Sequence, residues 1–201
     1  MMTITYPART GIYVNMTNRC PCACTFCLRH NKDYVFDSDS LWLDREPTIQ
    51  EVCESIISWD LSQYDEIVFC GYGEPTERLN DLLEVAKYIR TKSDIKIRIN
   101  TNGLSDLIWN ESTAPKLKGL IDTVSISLNA TNKDDYLKVV RPKFGIGSYD
   151  AMIKFAKECT EYVPSVVMTV VDVITSKEEQ EICHAICESL GVTLRVRPYE
   201  D

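Results

Sequence analysis

No run of lysines or arginines occurs in this 201-residue chain, and its 22 basic residues are outnumbered by 30 acidic ones, for a formal charge of −8. A surface of that sign repels phosphate backbones and anionic headgroups, so neither nucleic acid nor an anionic membrane is an expected partner. The chain also lacks any stretch of eighteen apolar residues, and its start, MMTITYPART, has no charged segment leading into an apolar one. Neither a membrane span nor a secretory signal is expected, which makes the cytoplasm the expected compartment. Linkers, low-complexity tracts and repeats are missing too. With 44% hydrophobic residues the chain has enough material for one well-cored domain, residues 1–201.

Cysteine, by contrast, is abundant, with nine residues. Disulfides are rare in the cytosol and the count is odd, so clustered cysteines are expected to hold metal and scattered ones to pack. Cys53, Cys70, Cys159, Cys183 and Cys187 are scattered. The other four lie in NRCPCACTFCLRH, residues 18–30. A structural zinc site takes four ligands, normally as two separated pairs, and no second CxxC pair exists to complete one. Bacterial ferredoxin spacing also fails, because Cys20, Cys24 and Cys27 form C-x3-C-x2-C with Cys22 between them. Three thiolates on a four-iron cluster leave the fourth iron open to an outside ligand. Zinc and fortuitous thiols remain the duller alternatives, and Cys22 reads as a bystander, an alternative ligand or a redox-active thiol.

Hydrophobic periodicity predicts strands at 12–17, 66–71, 95–100, 122–129, 165–173 and 192–198, with amphipathic helices between them. Capping boxes at Thr48 and Ser176 open two helices, the first with Val52, Ile56 and Trp59 on one face. Leu79, Leu82, Leu83, Ala86 and Ile89 stripe another helix, Ser148 is expected to cap one reaching Tyr162, and Gly191 stops the last. Weaker helical material is read around 112–119. Six βα units of about 33 residues fall short of the roughly 250 residues of a closed eight-unit barrel. The expected fold is α/β: an open, partial (β/α)6 TIM-type barrel of one domain.

Strand parity separates an apolar row (Ile12, Val14, Met16; Ile97, Ile99; Val124, Ile126, Leu128) from a polar one (Tyr13, Asn15; Arg98, Asn100; Ser125, Ser127, Asn129). If the apolar row packs under helices, the polar row lines the interior, an arrangement suited to a polar ligand. Ligands in such folds bind at the C-terminal strand ends, and the cysteine loop follows the first of these.

C-x3-C-x-Phe-C after the first strand, with Phe26 before its last cysteine, and GYGEP after the second, resemble the radical S-adenosylmethionine (radical SAM) enzymes over essentially the whole chain. YVNMTNRCPCACTFCLR, the SLNA at 127–130 and the terminal RVRPYED are similar to the small subfamily associated with TatD-type nucleases, implying a functional link to such a nuclease. The resemblance implies that Cys20, Cys24 and Cys27 ligate a [4Fe-4S] cluster and that S-adenosylmethionine chelates its open iron. One electron, from a flavodoxin- or ferredoxin-type donor, would then release methionine and a 5′-deoxyadenosyl radical that takes hydrogen from an unidentified substrate. By the same resemblance Gly73, Glu74 and Pro75 match the family's GGEP and meet the cofactor's amino group, with Tyr72 standing where its first glycine belongs. Asn129, Ser127 and Asn102 would reach the cofactor, Arg141 its carboxylate, and Phe26 would pack near the adenine. No catalytic residue toward the substrate is identified.

Each residue also has a plain structural reading. GYGEP can be a strand-to-helix turn, Asn102 and Asn129 can end strands, and Arg141 can be a solvated loop arginine. Cys183 and Cys187, one turn apart near His184, read as helix packing rather than as a metal site with His184 or His30. Cys70 lies on the polar row. Arg195 and Arg197 can bind an anionic substrate or protect a sheet edge. The rival functions are a glycyl-radical-activating enzyme acting on a partner protein and a non-catalytic iron–sulfur or zinc module that carries electrons or mediates interactions.

Overall fold

The computed structural model describes residues 2–30, 32–33 and 38–199. Seven strands follow one another across a single sheet: β1 (Thr5–Ala8), β2 (Gly11–Val14), β3 (Glu66–Phe69), β4 (Lys96–Thr101), β5 (Thr123–Ser127), β6 (Ser165–Val171) and β7 (Thr193–Arg197). β2 to β7 are parallel, and β1 runs antiparallel to β2. Because β1 pairs only with β2 and β7 only with β6, the sheet stays open. The six parallel strands are those read from the sequence; most are trimmed by a few residues, while β2 starts one residue earlier than expected and β4 ends one residue later. β1 is the addition. Its Pro7 removes a ladder donor, which argues against a central strand but is tolerated at an edge, and Arg9 (φ 54°) turns the chain into β2.

Helices α1 (Ile49–Ile57), α2 (Leu79–Arg90), α3 (Ser105–Trp109), α4 (Lys133–Val140), α5 (Ser148–Tyr162) and α6 (Lys177–Leu190) complete the units. Both capping boxes form: Thr48 Oγ1 accepts from Glu51 N at 3.2 Å and Ser176 Oγ from Glu179 N at 3.2 Å, with each glutamate returning to the cap amide. Gly191 ends α6 in the left-handed conformation (φ 74°). Three expectations need correction. Ser148 is the first residue of α5 rather than its cap, Gly147 holding the cap position without a side-chain bond. Trp59 lies beyond α1, where its indole donates to Thr5 Oγ1 at 2.9 Å. The 112–119 region holds only a 3-10 turn, Ala114–Leu117, whereas α3 and the Asn132-capped α4 were not foreseen.

The two strand faces separate as parity predicts. Val14, Met16, Ile67, Phe69, Ile97, Ile99, Val124, Ile126, Met168 and Val170 pack with the helices in one large apolar cluster. Cys53, Cys159, Cys183 and Cys187 are buried within it, while His184 lies outside with Glu188 at 3.5 Å. On the opposite face Tyr6, Tyr13, Leu41, Val68 and Tyr72 form a smaller cluster inside the curve of the sheet. Among the described residues no helix is long and apolar enough to cross a membrane.

Removing a helix cap leaves backbone donors without an intramolecular partner. Ser176→Ala should lower stability by about 1 kcal/mol in urea unfolding, whereas Val173→Ala, at a side chain 65% exposed, should stay within about 0.5 kcal/mol.

Candidate functional site

Beyond β2 the chain is fastened before it reaches the cysteines. Asn18 Nδ2 donates to Leu43 O at 2.8 Å and Leu43 N returns to Asn18 Oδ1 at 3.1 Å, while Thr17 Oγ1 donates to Glu46 at 2.6 Å. The cysteine loop then docks on the C-terminal end of α4. A helix leaves its last carbonyls without intrahelical partners; here Ala23 N donates to Val140 O (3.1 Å) and Thr25 N to Val139 O (2.9 Å). Lys143 N donates back to Pro21 O at 2.8 Å, and Cys22 pairs with Pro142 in an isolated antiparallel bridge. Arg141 makes this reversal possible by taking the left-handed conformation (φ 50°) at the end of α4.

The GYGEP turn locks against the same segment. A Cβ on Gly73 would stand 2.2 Å from Thr17 O and 2.6 Å from Arg19 O, and one on Gly71 would stand 2.1 Å from Asn15 Oδ1. The close backbone approach expected at Gly73 is therefore toward the entry to the cysteine loop, where Glu74 N also donates to Arg19 O at 2.8 Å. The buried Glu74 carboxylate accepts from Thr76 N (3.0 Å), Thr76 Oγ1 (2.7 Å), Thr101 Oγ1 (2.7 Å) and Asn102 N (2.7 Å). It ties the end of β4 to the turn after β3. Burial raises its pKa despite these four donors. Tyr72 fills its unusual position by packing against Trp42, with ring centroids 5.2 Å apart, and donating to Lys32 O at 2.5 Å.

Cys20, Cys22, Cys24 and Cys27 all line one cavity of about 280 Å³, as do Phe26, Gly73, Glu74, Asn102, Ser127 and Asn129. Pro75, buried at the start of a 3-10 turn, and the exposed Arg141 are not on its lining. Cys22 is the most buried of the four, and its thiol is held up in pKa by hydrogen bonds to Cys20 and Cys24. The same bond draws Cys20 down, while burial pushes Cys27 up. Asn102 Nδ2 donates to Cys22 Sγ at 3.6 Å and lies 4.0 Å from Cys20 Sγ.

Among the described residues four buried polar atoms on the lining have no partner: Asn129 Oδ1, the Tyr136 hydroxyl and the Nε atoms of Arg195 and Arg197; the first two lie on the side of the proposed cofactor wall and the cysteines. Asn129 is also held at φ 57°, an unusual conformation for a residue with a side chain. Unpaired buried polar atoms are costly, so Asn129 and Tyr136 are candidates to meet a ligand. Tyr136 escaped the sequence reading because its spacing to Val140 in α4 is that of a core stripe; only the fold aims its hydroxyl at the cavity. Among the described residues no three His, Cys, Asp or Glu side chains converge to hold one metal ion. A four-iron cubane takes its cysteines on separate iron atoms rather than on one ion. A three-thiol loop facing a cavity with orphaned polar atoms thus fits a cluster with a polar ligand beside it.

An open βα barrel with three such cysteines after its first parallel strand defines a class. The family model described as the Radical SAM superfamily matches residues 14–186, and the chain belongs to that superfamily, whose members use a [4Fe-4S] cluster and S-adenosylmethionine. The chain is similar to the GTP 3',8-cyclase of Aquifex aeolicus (strain VF5), at 28% identity over 189 residues covering 94% of this chain and 56% of that protein. Among solved structures, a radical SAM methyltransferase from Sphaerobacter thermophilus shares 20% identity and a TM-score of 0.66, over 96% of this chain and 56% of that one. SuiB of Streptococcus suis bound to S-adenosylmethionine shares 18% identity and a TM-score of 0.62, over 94% and 38%. The chain therefore spans 38–56% of the length of these relatives, and the structural likenesses establish the fold.

The contact at Gly73 is with backbone, which cannot swing aside. Gly73→Ala should cost roughly 1–3 kcal/mol and lower iron incorporation on anaerobic reconstitution. Gly147→Ala, with nothing within 4 Å of its added methyl, should leave the urea midpoint and iron content unchanged.

Proposed function

We propose that this chain cleaves S-adenosylmethionine reductively at a [4Fe-4S] cluster held by Cys20, Cys24 and Cys27, and directs the resulting radical at a carbon-bound hydrogen of a substrate. The observation that carries this is the convergence of the three thiols and the unpaired Asn129 oxygen on one cavity. When bound, the cluster supplies the electron that splits the cofactor into methionine and a 5′-deoxyadenosyl radical. The protein's part is placement. Asn129 Oδ1, buried and without an internal partner, is the acceptor for a ribose hydroxyl, and Ser127 and Asn102 line the same wall. Glu74 acts through the turn it braces: its carboxylate is occupied by four internal donors, which leaves the backbone of residues 71–74 to meet the methionyl amino group. Phe26 sits on the loop beside the adenine end, and the Tyr136 hydroxyl faces the cysteines as a further polar contact.

Arg141, exposed at the end of α4 with its Nε donating to Lys138 O at 3.3 Å, is the proposed partner of the cofactor carboxylate. The described chain as a whole serves as the core domain of such an enzyme, and a flavodoxin- or ferredoxin-type protein is the proposed electron donor. Membership of the TatD-associated subfamily, with its link to a TatD-type nuclease, rests on the sequence of the cysteine loop, SLNA and RVRPYED; Glu200 and Asp201 of that last motif lie outside the described residues.

Anaerobically reconstituted protein given dithionite and S-adenosylmethionine should accumulate 5′-deoxyadenosine. A cluster inert to the cofactor would instead establish an electron carrier. Cys24→Ala should lose the brown absorbance and the nucleoside product together, and Cys22→Ala should keep both; a bleached Cys22 variant would show that the ligand set is wrong. Asn129→Gly keeps the left-handed backbone and should fold normally, while its affinity for S-adenosylmethionine falls by up to about tenfold, the worth of one hydrogen bond.

A further inference from the structure

The cavity wall contributed by β7 has a charge problem. In a protein of net charge −8, the lining carries Arg9, Arg29, Arg98, Arg195 and Arg197, against one carboxylate, Glu74, whose oxygens are already taken. Arg98 is neutralised by Glu66, with Nε at 2.9 Å and Nη2 at 2.5 Å, and also donates to Asn100. Arg195 and Arg197 have no ion pair among the described residues. Arg195 donates to Ser125 Oγ at 3.2 Å, and the Nε atoms of both arginines are buried without a partner. Two residues apart on one strand, they point to the same side, about 7 Å apart along it. The strand register sets Arg195 beside Thr169, which itself lies beside Ser127 of the proposed cofactor wall.

A guanidinium cannot relieve such a position by releasing its proton, so a half-buried pair of them, with inward Nε atoms unpartnered and no ion pair among the described residues, favours a counterion in the cavity they line. Burial, followed by the charges of Arg98, Arg197 and Arg9, draws the Arg195 pKa below its usual value, consistent with that demand. Protection of an exposed sheet edge does not explain them. Edge-guarding charges stand in solvent, and these turn their Nε atoms inward while Val196, 40% exposed, takes the outward position between them.

We infer that Arg195 and Arg197 form an oxyanion subsite within the proposed reaction cavity, so that the substrate carries a carboxylate or phosphate group which β7 holds. Planar guanidinium forks match either group through paired hydrogen bonds, and the neutral donors of Ser125, Ser127 and Thr169 line the wall beside them. This assignment rests on reading the cavity as the site of S-adenosylmethionine chemistry, although its test does not depend on turnover.

Anaerobically reconstituted protein would be melted in increasing inorganic phosphate or succinate, against chloride at matched ionic strength. At least one of the two anions should raise the melting temperature in a saturable manner, and the one that does names the group. Arg195→Gln/Arg197→Gln should lose that rise, and Arg197→Lys, which keeps charge but not the fork, should weaken apparent affinity several-fold. Far-UV circular dichroism checks folding, and if the double variant fails it, Arg197→Gln alone should weaken affinity at least tenfold. No rise with either anion, or an equal rise in wild type and the folded variants, would overturn the subsite. So would a rise abolished by saturating S-adenosylmethionine, since the arginines would then hold the cofactor's own carboxylate. Iron absorbance read in the same samples reports failure of the cluster reading independently of the anion titration.

Discussion

The seating of the cysteine loop on the end of α4 is the contact on which the rest of the site depends. A short loop rich in small side chains has little apolar surface with which to fix itself, and the helix end has carbonyls with no intrahelical partner of their own. Each solves the other's deficit: the amides of Ala23 and Thr25 go to Val140 and Val139, and Cys22 bridges to Pro142. From the opposite side the glycines of the GYGEP turn press against Thr17 and Asn15. The loop is thus clamped between two elements distant in sequence, which holds the orientation of its thiols without calling on the thiols themselves.

Behind that clamp the sheet divides labour between its faces. The outer row spends its side chains on packing under the helices, where the scattered cysteines are ordinary core residues. The inner row is left to polar groups, which survive burial because they are either internally satisfied, as Glu74 and Arg98 are, or aimed at space that a ligand can occupy, as Asn129, Arg195 and Arg197 are. The distinction matters for function: a saturated group builds the site, and an unsaturated one reads what enters it. Glu74, the most conspicuous residue of its motif, falls in the first class.

The strands were legible because a period-two alternation between apolar and polar residues survives in β4 and β5, and the capping boxes at Thr48 and Ser176 because they are local chemistry. β1 was hidden by Pro7 and by its length of four residues, α4 by a sequence short enough to be read as loop. At the site, the C-x3-C-x2-C spacing together with the family resemblance marked Cys20, Cys24 and Cys27, and the strand-end rule with the same resemblance marked Asn129. Nothing local distinguished Tyr136 from a core tyrosine, or Arg141 from a cavity arginine.

What the amino-acid order determined by itself was the parity of each strand, the caps of its helices and the grouping of three cysteines at C-x3-C-x2-C, all of which depend on neighbours within a few positions. The tertiary structure alone decided which polar atoms remain unpaired. That property depends on partners such as Arg19 with Glu74, Thr101 with Glu74 and Ser125 with Arg195, which lie between 27 and 70 positions apart and meet only once the sheet has curved. Hydrogen-bond satisfaction is a property of the assembled interior rather than of any segment, so the residues left open to a ligand can be recognised only there.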